Sequence, residues 1–179
     1  MNVHTSSETR AGAPARPLAA LLWQLATVIS GLTDAQYRAE RAREVSGSIG
    51  GHVRHCLDHV EALVSGIPAG KVNYDSRRRR TAVETSREAA LAEILRLAAD
   101  VECISSHVLS RPLEVPGALD TGGAHLTALS SVARELAFVV SHTIHHLAVV
   151  ALLLHAQGVA VPPRFGYAPS TPTPASTAA

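Results

Sequence analysis

Apolar residues recur at Leu18, Leu21, Leu22, Leu25, Val28, Ile29 and Leu32, the i, i+3, i+4 spacing of a helix that buries one face. Three further stretches carry the helical period. One runs from an N-cap at Ser46 or Ser48 to a stop at Gly66, and one from Ser86 through Leu109 to the block at Pro112. The last starts near Ser130–Ser131 and ends at Gly158. Its apolar residues lie nearly all round, which predicts deep burial. Strand alternation is scarce, and only Leu113–Val115 qualifies. Four helices in one chain predict an all-α fold, an antiparallel four-helix bundle. The connections at 67–85 and 110–129 are long, which points to functional loops or to a non-simple connection order.

The Leu18–Leu32 segment is too short to span a bilayer, which needs roughly 20 apolar residues, and Gln24, Thr27 and Ser30 interrupt it. It reads as the first core helix of a cytoplasmic protein with no membrane partner. Residues 1–16 are polar and form an expected N-terminal arm, 17–161 the bundle, and 162–179 a Pro/Ser/Thr-rich extended tail.

Composition adds one domain's worth of chain, 179 residues, with 16 Lys+Arg against 15 Asp+Glu. So even a balance excludes broad electrostatic capture of nucleic acid. Two cysteines cannot staple a secreted scaffold, and both are expected as inert core thiols. Ten histidines change the picture. Six fall in two clusters, His52, His55 and His59 in the second helix and His142, His145 and His146 in the last. Positions i and i+4 share a helix face, so His142 and His146 form a ready bidentate pair. A lone pair of this kind is more often surface or satisfied core than ligand. The second cluster tips the balance, because both must fit one small core and buried imidazoles need partners. Three imidazoles between two helices make a facial site suited to zinc or nickel, with ferrous iron as an alternative, and leave positions for water or a small-molecule substrate. In the second helix the apolar stripe is Ile49, Val53, Cys56, Leu57, Val60, Leu63 and Val64. Periodicity favours His52, which flanks it closely, over His55.

The arrangement resembles the DinB-like superfamily, whose relatives include the metal-binding domain of mycothiol-dependent maleylpyruvate isomerase and bacillithiol S-transferase-like proteins. The resemblance covers roughly 17–168 and rests on Ser48-Ile49-Gly50-Gly51-His52-Val53-Arg54-His55, Val72-Asn73-Tyr74-Asp75, Arg134-Glu135-Leu136 and Ser141-His142-Thr143-Ile144-His145-His146. It implies an up-down-down-up connection order and a divalent metal held by three histidines. The last-helix ligands fall on His142 and His146, and the family register places the second-helix ligand on His55. The resemblance and the periodicity therefore disagree, and His55 is preferred because a metal site sits at the edge of a core. Many relatives follow the second histidine with Arg-Gly-Gln, whereas this chain has Leu147-Ala148-Val149.

What the resemblance implies chemically is a metal-dependent enzyme using a low-molecular-weight thiol as co-substrate, in S-transfer or isomerisation. The rivals are metal-activated hydrolysis and a non-enzymatic metal-binding or dimerisation module, and relatives of this kind often form homodimers. Glu135, seven residues before His142, is a candidate imidazole acceptor or general base, against the plainer role of an early-helix charge. Asp58 reads as the partner of Arg54, and His145 as a packing or capping residue. Arg77–Arg80 could hold a carboxylate-bearing thiol, although a solvated loop is the default.

Overall fold

The computed structural model describes residues 14–40, 46–76 and 81–172. These are mostly helical: α1 (Arg16–Ser30), α2 (Asp34–Arg38), α3 (Ile49–Ala69), α4 (Ala82–Thr85), α5 (Arg87–Glu102) and α6 (Val132–Ala156). A 3-10 turn at Ser106–Val108 follows α5, and strands β1 (Pro112–Ala118) and β2 (His125–Ser131) form a hairpin before α6. The expected N-terminal arm lies outside the described residues up to position 13, as does the Arg77–Arg80 run.

Serine caps set three of the long helices. Ser48 accepts from the Gly51 N–H, Ser86 from Ala89 and Ser131 from Arg134, each satisfying an otherwise orphaned donor. α3 runs past the expected stop at Gly66. A Cβ on Gly66 would lie 2.5 Å from the Lys71 carbonyl oxygen, so this glycine serves the close return of the chain. The helix ends instead at Gly70, in the left-handed region at φ +69°.

Two expectations need correction. α5 stops at Glu102 and does not continue through Leu109. Ser105 is extended, at φ −84° and ψ 160°, which breaks the helical path, and beyond it the carbonyls of Leu109 and Arg111 accept the Ala133 and Val132 N–H groups at the start of α6. The second correction is β2: the expected strand at Leu113–Val115 lies within β1, but its partner was not expected. β1 and β2 pair antiparallel with Leu113 opposite Ser130 and Glu114 opposite Leu129. Five of the seven β2 residues are exposed, so no apolar alternation marked the strand. β1 also pairs in parallel with Lys71, where Val72 N–H donates to the Glu114 carbonyl. The 67–76 segment is thereby fixed to the hairpin.

α1 packs on α5 and α6, and α3 packs on the same two helices. Leu18, Leu22, Leu25 and Ile29 of α1 meet Val53, Val60 and Leu63 of α3, Ile94 and Leu97 of α5, and Val139, Leu147, Val150 and Leu154 of α6 in one core. Burial of α6 is confined to one broad face, since Leu152 is 57 % exposed. α6 is the one helix among the described residues long and apolar enough to cross a membrane, with 44 % of its most apolar window buried. Past α6 the chain does not simply trail away. Phe165 is buried, and Gly166, at φ +77°, brings the backbone so close to Ala148 that a Cβ would sit 2.5 Å from its nitrogen.

Candidate metal centre

α3 and α6 meet along a seam in which residue numbers rise on one helix as they fall on the other. The His52 ring lies against His146 at a centroid distance of 5.5 Å, and His59 stacks on His142 at 3.9 Å. Between them, His55 faces both His142 at 5.1 Å and His146 at 4.6 Å. The i, i+3, i+7 spacing on α3 and the i, i+4 spacing on α6 produce this convergence.

One potential ligand atom from each of His55, His142 and His146 lies within 4.8 Å of the other two. This donor set fits a divalent cation of borderline softness. Burial, followed by repulsion from His142, His55, His145 and His52, pushes the His146 pKa down to about 3. His146 is therefore neutral, with a lone pair to offer, throughout the physiological range.

His52 stands outside the three-histidine group. Its Nδ1 lies 3.3 Å from Nδ1 of His146, and its Nε2 lies 3.0 Å from the Ser46 carbonyl oxygen. His59 hydrogen-bonds through Nδ1 to the His55 carbonyl at 3.0 Å. His145 is exposed on α6, edge-on to His146 at 5.1 Å.

Glu135 is buried, but the structure places it against two hydroxyls and not against an imidazole. Tyr74 Oη donates to its Oε2 at 2.9 Å and Ser130 Oγ to its Oε1 at 2.6 Å. The Tyr74 ring in turn stacks on His59 at 5.2 Å, with an interplanar angle of 13°. Burial and the adjacent Glu135 carboxylate push the Tyr74 phenol far above its ordinary range, so it stays a hydrogen-bond donor. In the sequence Tyr74 stands out only as part of the Val72-Asn73-Tyr74-Asp75 motif, and Ser130 only as a residue near a helix start. The signal for Tyr74 was an aromatic inside a long polar connection.

Cys56 is a buried thiol whose Sγ lies 3.7 Å from Thr143 Oγ1. Burial raises its pKa to about 11, which keeps it protonated and inert. Cys103, expected in the core, is exposed. The Arg54–Asp58 pair forms as the spacing predicts, at 2.7 Å, and Arg54 also reaches Glu84 at 3.2 Å. A cavity of about 580 Å³ opens on that side of α3, lined by Arg54, Asp58, Glu61, Lys71 and Glu93 among others and by none of the histidines.

The chain belongs to the DinB superfamily, whose family model matches residues 20–150, from α1 into α6. A curated protein with local similarity is FK506-binding protein 5 of Rhizopus delemar, 36% identical over 101 residues, or 56% of this chain and 26% of that protein. The chain thus spans about a quarter of the curated relative it matches.

Proposed function

We propose that His55, His142 and His146 hold a divalent metal ion, zinc or nickel before iron, in an enzyme that acts on a low-molecular-weight thiol as an S-transferase or isomerase. The observation that carries the metal assignment is the mutual approach of three imidazole ligand atoms within 4.8 Å on two packed helices. The thiol chemistry rests on the relatives that the sequence resembles. We include in the proposal an up-down-down-up four-helix bundle made of α1, α3, α5 and α6. Three contacts support it. α3 and α6 run antiparallel, Gln157 just past α6 reaches the Gln36 carbonyl of α2, which follows α1, and Arg87 at the start of α5 reaches the Ser30 carbonyl at the end of α1.

A bound cation with an open position would supply Lewis acidity and a lowered pKa for a coordinated thiol or water. The chain's own residues hold and shield that position. α3 and α6 fix the three rings, His59 and Phe138 cover one side of His142, and Tyr74 closes over His59. With both carboxylate oxygens engaged by hydroxyls, Glu135 serves to anchor Tyr74 and not to take a substrate proton.

The test is elemental analysis of the purified full chain, followed by turnover of an electrophile with and without added thiol. Stoichiometric metal and strict thiol dependence support the proposal. Thiol-independent turnover would move the chain to metal-activated hydrolysis, and a metal-free protein that takes up no zinc, nickel or iron would remove the proposal.

A further inference from the structure

We infer that His52 is a positioning residue that sets the tautomer of His146 and so aims its Nε2 at the metal position. The inference deepens the metal-site reading above and rests on it for the role of Nε2. The chain of hydrogen bonds begins at the Ser46 carbonyl, just before α3. A carbonyl oxygen can only accept, so the His52 Nε2 at 3.0 Å must carry the hydrogen. A neutral imidazole has one N–H, which leaves Nδ1 of His52 as a lone pair. That lone pair faces Nδ1 of His146 at 3.3 Å, and the contact is satisfied only if His146 donates. His146 then carries its hydrogen on Nδ1 and has its lone pair on Nε2.

The arrangement is the one that metal-bound histidines commonly use, in which an outer acceptor fixes the ring and its tautomer. Here the acceptor is a second imidazole, itself fixed by backbone. Two sequence features hold the anchor in place. Gly47, at φ +92°, turns the chain between Ser46 and Ser48, and the would-be Cβ of Gly47 lies 3.6 Å from His52 Nε2. Ser48 then caps α3 four residues before His52. The periodicity that singled out His52 thus detected a residue facing the site from behind a ligand.

The experiment has a metal-free arm and a metal arm on the full chain. With histidine-selective nitrogen-15 labelling at about pH 8, above the ordinary histidine range, the apo protein is expected to show His146 protonated at Nδ1 and bare at Nε2. An Nε2–H tautomer overturns the inference whatever the metal arm shows. In the metal arm, zinc affinity is measured by competition with a chelating dye. His52→Ala should weaken binding by about 10–100-fold, while His52→Asn, whose Oδ1 stands close to where Nδ1 stood, should stay within about threefold of the wild type. His52→Asn also guards against a His52→Ala variant that fails to fold. Wild-type affinity in His52→Ala overturns the inference and leaves the metal reading intact. Wild-type affinity in His142→Ala instead overturns the metal reading itself.

Discussion

α3 carries two i, i+4 pairs one residue apart, Arg54/Asp58 and His55/His59, and they meet opposite fates. Arg54 and Asp58 form a part-exposed ion pair beside an open cavity. His55 and His59 turn about 100° further round and meet α6, where His55 sits edge-on to His146 and His59 stacks on His142. Spacing is the same in both, so spacing cannot tell a solvated pair from a site. The facing helix decides. An ion pair near water contributes a few tenths of a kcal/mol to about 1 kcal/mol, whereas imidazoles in a seam must each find a partner or remain at a cost.

The largest expected contrast between the two faces is in metal content. His142→Ala should lower bound metal from stoichiometric to near zero by elemental analysis, and His55→Ala should do the same. Asp58→Asn should leave metal content unchanged.

Next comes acid sensitivity of the metal-free protein, which the histidine face alone should confer. His146 stays neutral when folded down to about pH 3, while the unfolded chain takes up that proton near the ordinary histidine value of 6.5. Between these values the unfolded state binds more protons, so stability falls as pH drops through about 6.5 and continues to fall toward about 3. Urea titrations from neutral to acid pH should show that decline, and a His146→Phe variant should show less of it.

Tyr74→Phe tests the layer behind the histidines. It removes one of two donors to a buried carboxylate, and such a loss costs about 1–3 kcal/mol. Chemical denaturation measures it, and metal content should persist. The smallest effect is expected on the cavity face, where Asp58→Asn, which keeps Arg54 paired with Glu84, should destabilise by about 1 kcal/mol or less with no change in metal stoichiometry.

The helices of the site were readable because capping and periodicity are local. Ser48, Ser86 and Ser131 each cap as their positions suggested, and the clusters at His52–His59 and His142–His146 lie on the two helices that meet. What local signals could not supply is the answer to a tertiary question. Leu109 was assigned to a helix because nothing in its neighbours reveals that its carbonyl is claimed by Ala133. Of the hairpin, Leu113–Val115 was legible and lies within β1, whereas β2 escaped because Leu126 and Leu129 point into solvent, so the period-2 burial that marks a strand was absent. Glu135 was placed on the histidine face, but Tyr74, 61 residues away in sequence, takes its carboxylate. The same limit applied to His52, which periodicity favoured as a ligand over the His55 of the family register, when its two ring nitrogens are engaged by Ser46 and His146.

The seating of Gly166 on Ala148 has a mechanical consequence. A helix can spoil a convergent site by spinning about its long axis, since neighbouring side chains sweep through a large arc while backbone bonds along the helix stay intact. Gly166, next to the buried Phe165, seats against the helix backbone at Leu147 and Ala148, within two residues of His146, where it would act as a torsional stop. Filling that notch, as Gly166→Val would do, should loosen the angular aim of the last helix long before it unfolds anything.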